Sequence, residues 1–281
     1  MRTSSSLLLS SLFASLLGSR LALAEAPAPP TTKVTWHGHA AFEITTPKGK
    51  TILIDPWLSN PANPKAKTAV AEVKKVDYIV ITHGHSDHVG DAVAIGKATG
   101  AKLVAGFDLA ANLVRVLGYP DKQAGYDTLT NPGGEISVDG GEIVFQLTPA
   151  VHSSGLDTGD PKAPIAYGGN PTGVIVKIKG GPTIYHTGDT SFFKDMEVIG
   201  EETPPDLALL NIGGHFGMEP KMAARAAQAV KARVVVPHHY KTFPILTQSH
   251  DEFVKLLAAK KIQTHPMQPG ETITFAGAHL K

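Results

Sequence analysis

Residues Thr82-His83-Gly84-His85-Ser86-Asp87-His88-Val89-Gly90 place three histidines and an aspartate within six positions, directly after the apolar run Tyr78-Ile79-Val80-Ile81. Neutral imidazole nitrogens and a carboxylate oxygen are donors that zinc takes at about 2.0–2.2 Å, and iron or manganese accepts similar shells. A strand that delivers its last residues to a sheet edge lets His83 and His85, two apart, face one cation. Asp87 and His88 fall beyond the turn and can reach a second. The competing reading makes Asp87 the cap of a helix starting near Val89; it explains one residue and leaves the histidines without a reason.

Four donors cannot close two tetrahedral shells and leave water in place, so other strands must supply more. His152 follows Ile143-Val144-Phe145-Gln146-Leu147-Thr148, Asp189 ends Thr183-Ile184-Tyr185-His186-Thr187-Gly188, and His239 follows Val234-Val235-Val236-Pro237. Each sits just past a β-rich run, where a sheet edge presents side chains to one cleft. A lone histidine after a strand is ordinarily a hydrogen-bonded core or surface residue; it is the set that points to metal. Of the other histidines, alternation puts His186 on the opposite face from Tyr185, in a supporting or core role, and His238 should point away from His239. His37, His250, His265 and His279 read as solvated surface.

The elements that must position these groups are legible as β-rich runs at Lys33 to Trp36, Ala41 to Thr45, Thr51 to Ile54, Asp77 to Thr82, Lys102 to Ala105, Glu142 to Thr148, Gly173 to Lys179, Thr183 to His186, Leu207 to Asn211, Arg233 to Val236 and Thr272 to Phe275. Three helices are expected: Leu109 to Leu117, capped by Asp108 and stopped by Gly118; Lys221 to Lys231 after Pro220; and Phe253 to Ala259 behind a Ser249/Glu252 capping box. The turn-rich segment Gly155 to Pro171 and the stretch Asn60 to Lys67 are candidates for the rim of the cleft, with Asp157 and Asp160 read as solvated loop charges.

Composition bounds the setting. Residues 1–24 look like a secretory signal, with Arg2 at the start, a Leu/Ser-rich stretch from Leu7 to Leu17, and Ala22-Leu23-Ala24 as a cleavage site before Glu25. The alternative is an uncleaved anchor, but serines and Gly18 interrupt an apolar run already short for a span of about 20 residues. No cysteine precedes the expected mature start, which excludes lipoprotein anchoring, and the single Arg2 argues against twin-arginine export. Export to the periplasm or medium is therefore expected. Residues 25–32 read as a Pro-rich extended linker, and 33–281 as one domain large enough to bury its own core. That core must suffice without disulfides, since the chain has no cysteine. Losing Arg2 and Arg20 with the signal takes the formal charge from +1 to −1, which provides no basic field for nucleic acid or anionic membrane. The expected partner is a small-molecule substrate, with no stable membrane insertion after signal cleavage.

From about Val34 to about Glu271 the chain resembles the metallo-β-lactamase superfamily, the His-x-His-x-Asp-His run at 83–88 being its most specific mark. Within it, the chain is most similar to metal-dependent hydrolases related to ascorbate-6-phosphate lactonase and, more distantly, to N-acyl-phosphatidylethanolamine phospholipase D. The matching stretches are Trp36-His37-Gly38-His39-Ala40, Ile52-Leu53-Ile54-Asp55-Pro56, Tyr167-Gly168-Gly169-Asn170-Pro171, Ile184 to Thr190 and His239-Tyr240-Lys241-Thr242-Phe243-Pro244. The resemblance implies an αββα sandwich, two sheets face to face with helices outside. It implies one metal on His83, His85 and His152, another on Asp87, His88 and His239, and Asp189 bridging them. It also matches His39 to the family's active-site histidine, a catalytic residue expected to bind a substrate oxygen or a phosphate; the alternative is a donor that orients a ligand carboxylate, equally usual around metal sites.

A water held between two cations about 3.5–4 Å apart becomes a hydroxide nucleophile near neutral pH. Asp87, facing that water, is the candidate for taking its proton to the leaving group. The resulting expectation is a binuclear hydrolase with two divalent ions, zinc before manganese or iron, acting on a small ester, lactone or phosphodiester. Where the related hydrolases carry an acidic residue and an amide, this chain has Gly214 and His215, so His215 could add a donor to the cleft or only fill space. Two alternatives stand beside the hydrolase. A β-lactamase is attractive for an exported chain, but one subgroup uses a cysteine this chain lacks, and such enzymes generally lack the bridging aspartate matched by Asp189. A non-catalytic metal- or ligand-binding module on the same fold would have no need of the full ligand set.

Overall fold

Alternation along the central strands sends side chains into two separate cores. Tyr78 and Val80 enter one cluster while Ile79 and Ile81 enter another; Ile52 and Ile54 part from Leu53, and Val104 from Leu103 and Ala105, in the same way. A strand apolar on both faces needs a layer on each side. The computed structural model describes residues 30–281 and supplies those layers. One sheet has eight strands in the order His279–Leu280, Thr272–Ala276, Thr32–Trp36, Phe42–Thr45, Thr51–Ile54, Tyr78–Val80, Lys102–Gly106, Leu129–Thr130. The other has seven: Gln263–Thr264, Val234–His238, Leu207–Asn211, Thr183–His186, Thr172–Ile178, Ile143–Pro149, Glu135–Val138. Helices Ala92–Thr99 and Phe107–Leu117 pack outside the first sheet; Met196–Glu202, Pro220–Ala229 and Asp251–Ala259 pack against the core that includes the second. The result is the expected αββα sandwich.

Strand direction assembles the site. Thr51–Ile54, Tyr78–Val80 and Lys102–Gly106 run parallel, as do Thr183–His186, Leu207–Asn211 and Val234–His238. Thr32–Trp36 and Ile143–Pro149 each lie two antiparallel steps from a parallel strand, so their C-terminal ends emerge on the same edges. Carboxyl ends of strands are where such sheets bind ligands, and here they lead into His39, Asp55, His83, His152, Asp189 and His239. Two sets of hydrogen bonds stitch the sheets at this edge. The Thr172 N–H and hydroxyl donate to the Thr82 carbonyl at 3.0 and 2.9 Å, and the His239 N–H donates to the His39 carbonyl at 3.0 Å.

Several local expectations need correction. The strand expected over Asp77–Thr82 is paired only over Tyr78–Val80; His83 and His85 leave from the loop that follows, and Asp87 and His88 occupy the short helix Ser86–Val89 with His85 at its cap position. Asp87 is thus inside a helix rather than capping one. Asp108 caps nothing, because the helix already starts at Phe107 behind Gly106, although Gly118 ends it in the left-handed conformation as expected. The Ser249/Glu252 capping box does not form; Ser249 accepts only the Asp251 N–H, at 3.1 Å, beside a His250 cap. Thr32, assigned to the linker, is already in the first strand. The signal segment and residues 25–29 of the linker lie outside the described residues. Among the described residues no helix is long and apolar enough to cross a membrane.

Both rim candidates pack against the site. The Gly155 carbonyl lies so close to Gly84, between His83 and His85, that a Cβ there would come within 3.0 Å of it. Asn60 accepts the N–H groups of Ala62 and Asn63 and donates to the His37 carbonyl, and its Oδ1 closes on Gly38 beside His39. Asp157 and Asp160 accept N–H groups of Gly159 and Lys162 in their own loop, the solvated role expected of them.

Candidate metal centre

The structure brings all seven expected ligands together, in two groups joined by a third, His83, His88 and Asp189. Donor atoms of His83, His85 and His152 lie within 4.8 Å of one another, and so do those of His39, Asp87, His88 and His239. Asp189 stands between: its Oδ2 is 3.6 Å from His152 Nε2 on one side, and 3.5 and 3.0 Å from the Nε2 atoms of His88 and His239 on the other.

Whether such a cluster suits a metal can be judged from its unpaired atoms. The Nε2 atoms of His88, His152 and His239 and Oδ1 of Asp189 are buried without a hydrogen-bond partner. Each such group costs about 1–3 kcal/mol, so four converging on one spot is a standing cost unless a cation receives their lone pairs. Imidazoles and carboxylates, with no thiolate, make a donor set suited to zinc, manganese or iron.

Neighbouring groups hold the ligands in orientation. Asp55 is completely buried; its Oδ2 lies 2.7 Å from His88 Nδ1 and accepts the Thr82 hydroxyl at 2.7 Å, while Oδ1 accepts the Thr82 N–H at 2.8 Å. That pairing turns His88 Nε2 toward the cluster. Thr82 Oγ1 in turn lies 3.0 Å from His83 Nδ1. His186 is buried, its Nδ1 accepting the Gly188 N–H and its Nε2 donating to the Ala40 carbonyl, both at 3.0 Å; it ties the backbone beside Asp189 to the backbone beside His39. His238 turns away from the cluster and meets the Leu209 carbonyl.

His39 is fully buried, its Nε2 2.9 Å from Asp87 Oδ2 and its Nδ1 2.9 Å from Thr242 Oγ1. Both nitrogens are thereby engaged, which makes it an orienting partner of Asp87. His39, Asp55 and His239 all hold positive φ, 52°, 46° and 58°. Such strain in non-glycine residues gathers at functional sites. The residues missed in the sequence were Asp55, Thr242 and the clamping role of His186. A carboxylate closing the Ile52-Leu53-Ile54 run was the available signal for Asp55; nothing local marked Thr242.

His215 does not join the cluster. A tight turn, with Gly214 N–H bound to Met218 and Gly217 N–H to Gly214, swings it into solvent, edge-on to Phe216. The four histidines read as bare surface have partners: His37 with Glu43, His250 with the Tyr240 hydroxyl, His265 with Glu271, and His279 with Arg233.

Burial and charge act against each other on the titrating groups. Burial, reinforced by His239, lowers His39 to about 4. Burial would also lower His239, but Asp189 beside it outweighs that and lifts it to about 9. Asp87 feels burial raising it, yet the surrounding imidazoles of His88, His239 and His39 hold it well below the usual carboxylate range. Ion-free, the cluster therefore recruits protons as its positive charge. A group raised in the folded state stabilises it fully below its unfolded value and loses that contribution as pH rises through the folded one; for His239 the loss runs from 6.5 to about 9. His39, lowered, loses its contribution as pH falls from 6.5 toward about 4. Chelator-treated protein should thus melt highest near pH 6.5, and added metal should remove the alkaline decline by taking the protons' place. A melting temperature of the chelated protein that keeps rising to pH 9 would refute this.

Gly188 is where the edge is tightest. Its φ is +58°, and a Cβ would sit 2.6 Å from the Thr172 carbonyl oxygen and 2.9 Å from Thr82 Cβ, the residues that stitch the sheets. Gly188→Ala is expected to cost about 2–4 kcal/mol, read from the denaturant midpoint. A cost under about 1 kcal/mol would mean that the sheets part readily there.

A four-layer sandwich with a histidine–aspartate cluster at its strand ends defines a metallo-hydrolase scaffold of the β-lactamase type. Residues 50–240 match the model of the β-lactamase superfamily domain. A metal-dependent hydrolase of Thermodesulfovibrio yellowstonii is 48% identical over 244 residues, covering 86% of this chain and 91% of that one. A counterpart in Anaeromyxobacter dehalogenans is 49% identical over 245 residues, covering 87% of each. Among solved structures, Igni18 of the hyperthermophilic archaeon Ignicoccus hospitalis, described as a metallo hydrolase, is 36% identical with a TM-score of 0.73, covering 87% of this chain and 98% of that one. The chain belongs to the metallo-β-lactamase superfamily and, within it, to the UPF0173 metal-dependent hydrolase family.

Proposed function

We propose that this protein is an exported hydrolase that works with two divalent ions, zinc before manganese or iron, on a small ester, lactone or phosphodiester. The observation that carries this is the place of Asp189 Oδ2 between the two histidine groups, amid buried nitrogens that have no other partner. In this reading His83, His85 and His152 hold one ion, Asp87, His88 and His239 the other, and Asp189 both. When bound, the pair supplies an acidified water and polarises the oxygen of the scissile bond.

The chain's own groups do the rest. Asp87, 28% exposed where the other carboxylate is 4%, is the one placed to take a proton from the attacking water and give it to the leaving group. His39 holds that carboxylate in place through Nε2, and Asp55 holds His88. The resemblance to ascorbate-6-phosphate lactonase puts lactones in the substrate range, and the apolar, small-residue start of the chain supports export with cleavage before Glu25.

The test is metal analysis of the purified protein alongside a panel of lactones, esters, phosphodiesters and penicillins. About two equivalents of metal, with turnover lost on chelation and restored by zinc or manganese, is the expected result. Fewer than one equivalent, or turnover indifferent to chelator, would overturn the proposal; preference for penicillins would replace it with a β-lactamase. Full-length protein confined to the cytoplasmic fraction would overturn the export reading, and a periplasmic N-terminus other than Glu25 would overturn the cleavage site.

A further inference from the structure

We propose that Trp57 and Phe243 form a wall that seats the apolar part of the substrate, and that this substrate is a neutral carboxylic ester or lactone bearing an alkyl or aryl group. This rests on the hydrolase reading above and narrows it.

The two side chains come from distant parts of the chain and meet beside the metal centre. Their rings stack at 5.9 Å with 24° between planes. Both stand edge-on to His39, Trp57 at 5.3 Å and Phe243 at 5.7 Å, and His39 is in contact with Asp87. Trp57 is half-buried and Phe243 is 37% exposed. Aromatic surface left open next to a catalytic carboxylate has no packing role on its outer side.

The way in passes these rings. Asp87 is 28% exposed, whereas Asp189, His239 and His152 are 4, 6 and 11% exposed and His88 is wholly buried. Asp87 and His85 are the partly exposed members of the cluster, and the Asp87 side of that opening lies beside the pair. Across the cluster, Val151 precedes His152 and is 52% exposed. Ile165, 73% exposed, lies over Gly155, which packs on Gly84 between His83 and His85. The mouth is thus apolar on two sides.

The lining bears on the charge of the substrate: an anionic phosphodiester loses more hydration against an apolar mouth than a neutral ester does. In the reaction, water adds to the acyl carbon and the acyl C–O bond breaks. The acid keeps the new oxygen and the alcohol leaves with a proton.

The experiment compares p-nitrophenyl acetate, butyrate, hexanoate and octanoate with bis-p-nitrophenyl phosphate, using metal-loaded full chain. The wild type is expected to gain about two- to fourfold in kcat/KM per added methylene, mostly through KM. Trp57→Ala and Phe243→Ala should lose that dependence, and Trp57→Phe and Phe243→Leu, which keep apolar bulk, should retain most of it. Metal content is measured for each variant so that a misfolded one is recognised.

A second readout does not need turnover. Of the two tryptophans, Trp36 is 3% exposed in the core, so a saturable change in tryptophan fluorescence on adding octanoate reports Trp57 and should be absent in Trp57→Phe. Flat chain-length dependence in the wild type, alanine variants that follow the wild-type slope, or a phosphodiester preferred over every ester would overturn the proposal. Hydrolysis of nothing in the panel, with octanoate still quenching Trp57, would instead overturn the hydrolase reading and leave the wall standing.

Discussion

Asp189→Ala is expected to take the protein from two equivalents of metal to one or none, and to lower kcat/KM by on the order of a thousandfold, about 4 kcal/mol of barrier. Asp189 is the carboxylate that faces both groups of histidines. Its Oδ2 is the neighbour of His88, His152 and His239 alike, and its Oδ1 is buried without a partner. In the binuclear centre proposed above, losing the carboxylate would remove a donor from both ions and the negative charge that would keep two cations close together. It also removes the main group that lifts His239, so the ion-free variant should show a shallower alkaline decline in stability, His88 still being raised by Asp55 and Asp87. Asp189→Asn separates the two effects, keeping shape and one oxygen donor while dropping the charge. Two equivalents of metal with activity within tenfold of wild type in Asp189→Ala would rule out the bridging role.

Asp55→Ala should weaken metal binding about 10- to 100-fold without removing a single ligand, and should destabilise the fold by about 3–5 kcal/mol. One carboxylate supports His88 Nδ1, the Thr82 N–H and the Thr82 hydroxyl, and Thr82 carries the carbonyl that stitches the two sheets through Thr172. Its loss therefore frees a ligand ring and a sheet contact together. Alanine is further strained by the φ of 46°, a conformation asparagine tolerates. Asp55→Asn should accordingly recover part of the stability but little of the metal affinity. Competition with a chromophoric chelator and a denaturant titration measure the two separately; equal losses in both variants would show that charge at 55 is immaterial.

The ligand set was legible because each part is local. His83, His85, Asp87 and His88 fall within six residues, and His152, Asp189 and His239 each follow a run whose apolar, β-branched character marks a strand about to end. The sandwich was legible for the same reason: runs such as Thr51–Ile54 and Val234–His238 are apolar on successive residues, which only a sheet covered on both faces accommodates. Short-range signals failed where the outcome depends on a distant neighbour. The strand was expected to run on to Thr82 because Ile81 is as apolar as Ile79, yet pairing stops at Val80. Asp55 stood only within a matching stretch with no role assigned, and its partners lie 27 and 33 residues away. His215 was placed near the cleft by the resemblance, since related hydrolases carry an acidic residue and an amide at 214 and 215; the Gly214–Met218 turn decided otherwise.

By itself, then, the order of residues determined which side chains could bind metal, which runs would be strands, and that two layers of sheet would need helices outside. Only the tertiary structure decided that His39 would be spent on Asp87 and Thr242, that Asp55 would hold both His88 and Thr82, and that Trp57 would meet Phe243. The physical reason is range. Ligand chemistry and alternation are properties of a few adjacent residues, whereas these pairings arise where the carboxyl ends of separate strands are brought to one edge, a matter of sheet order and direction that no local window contains.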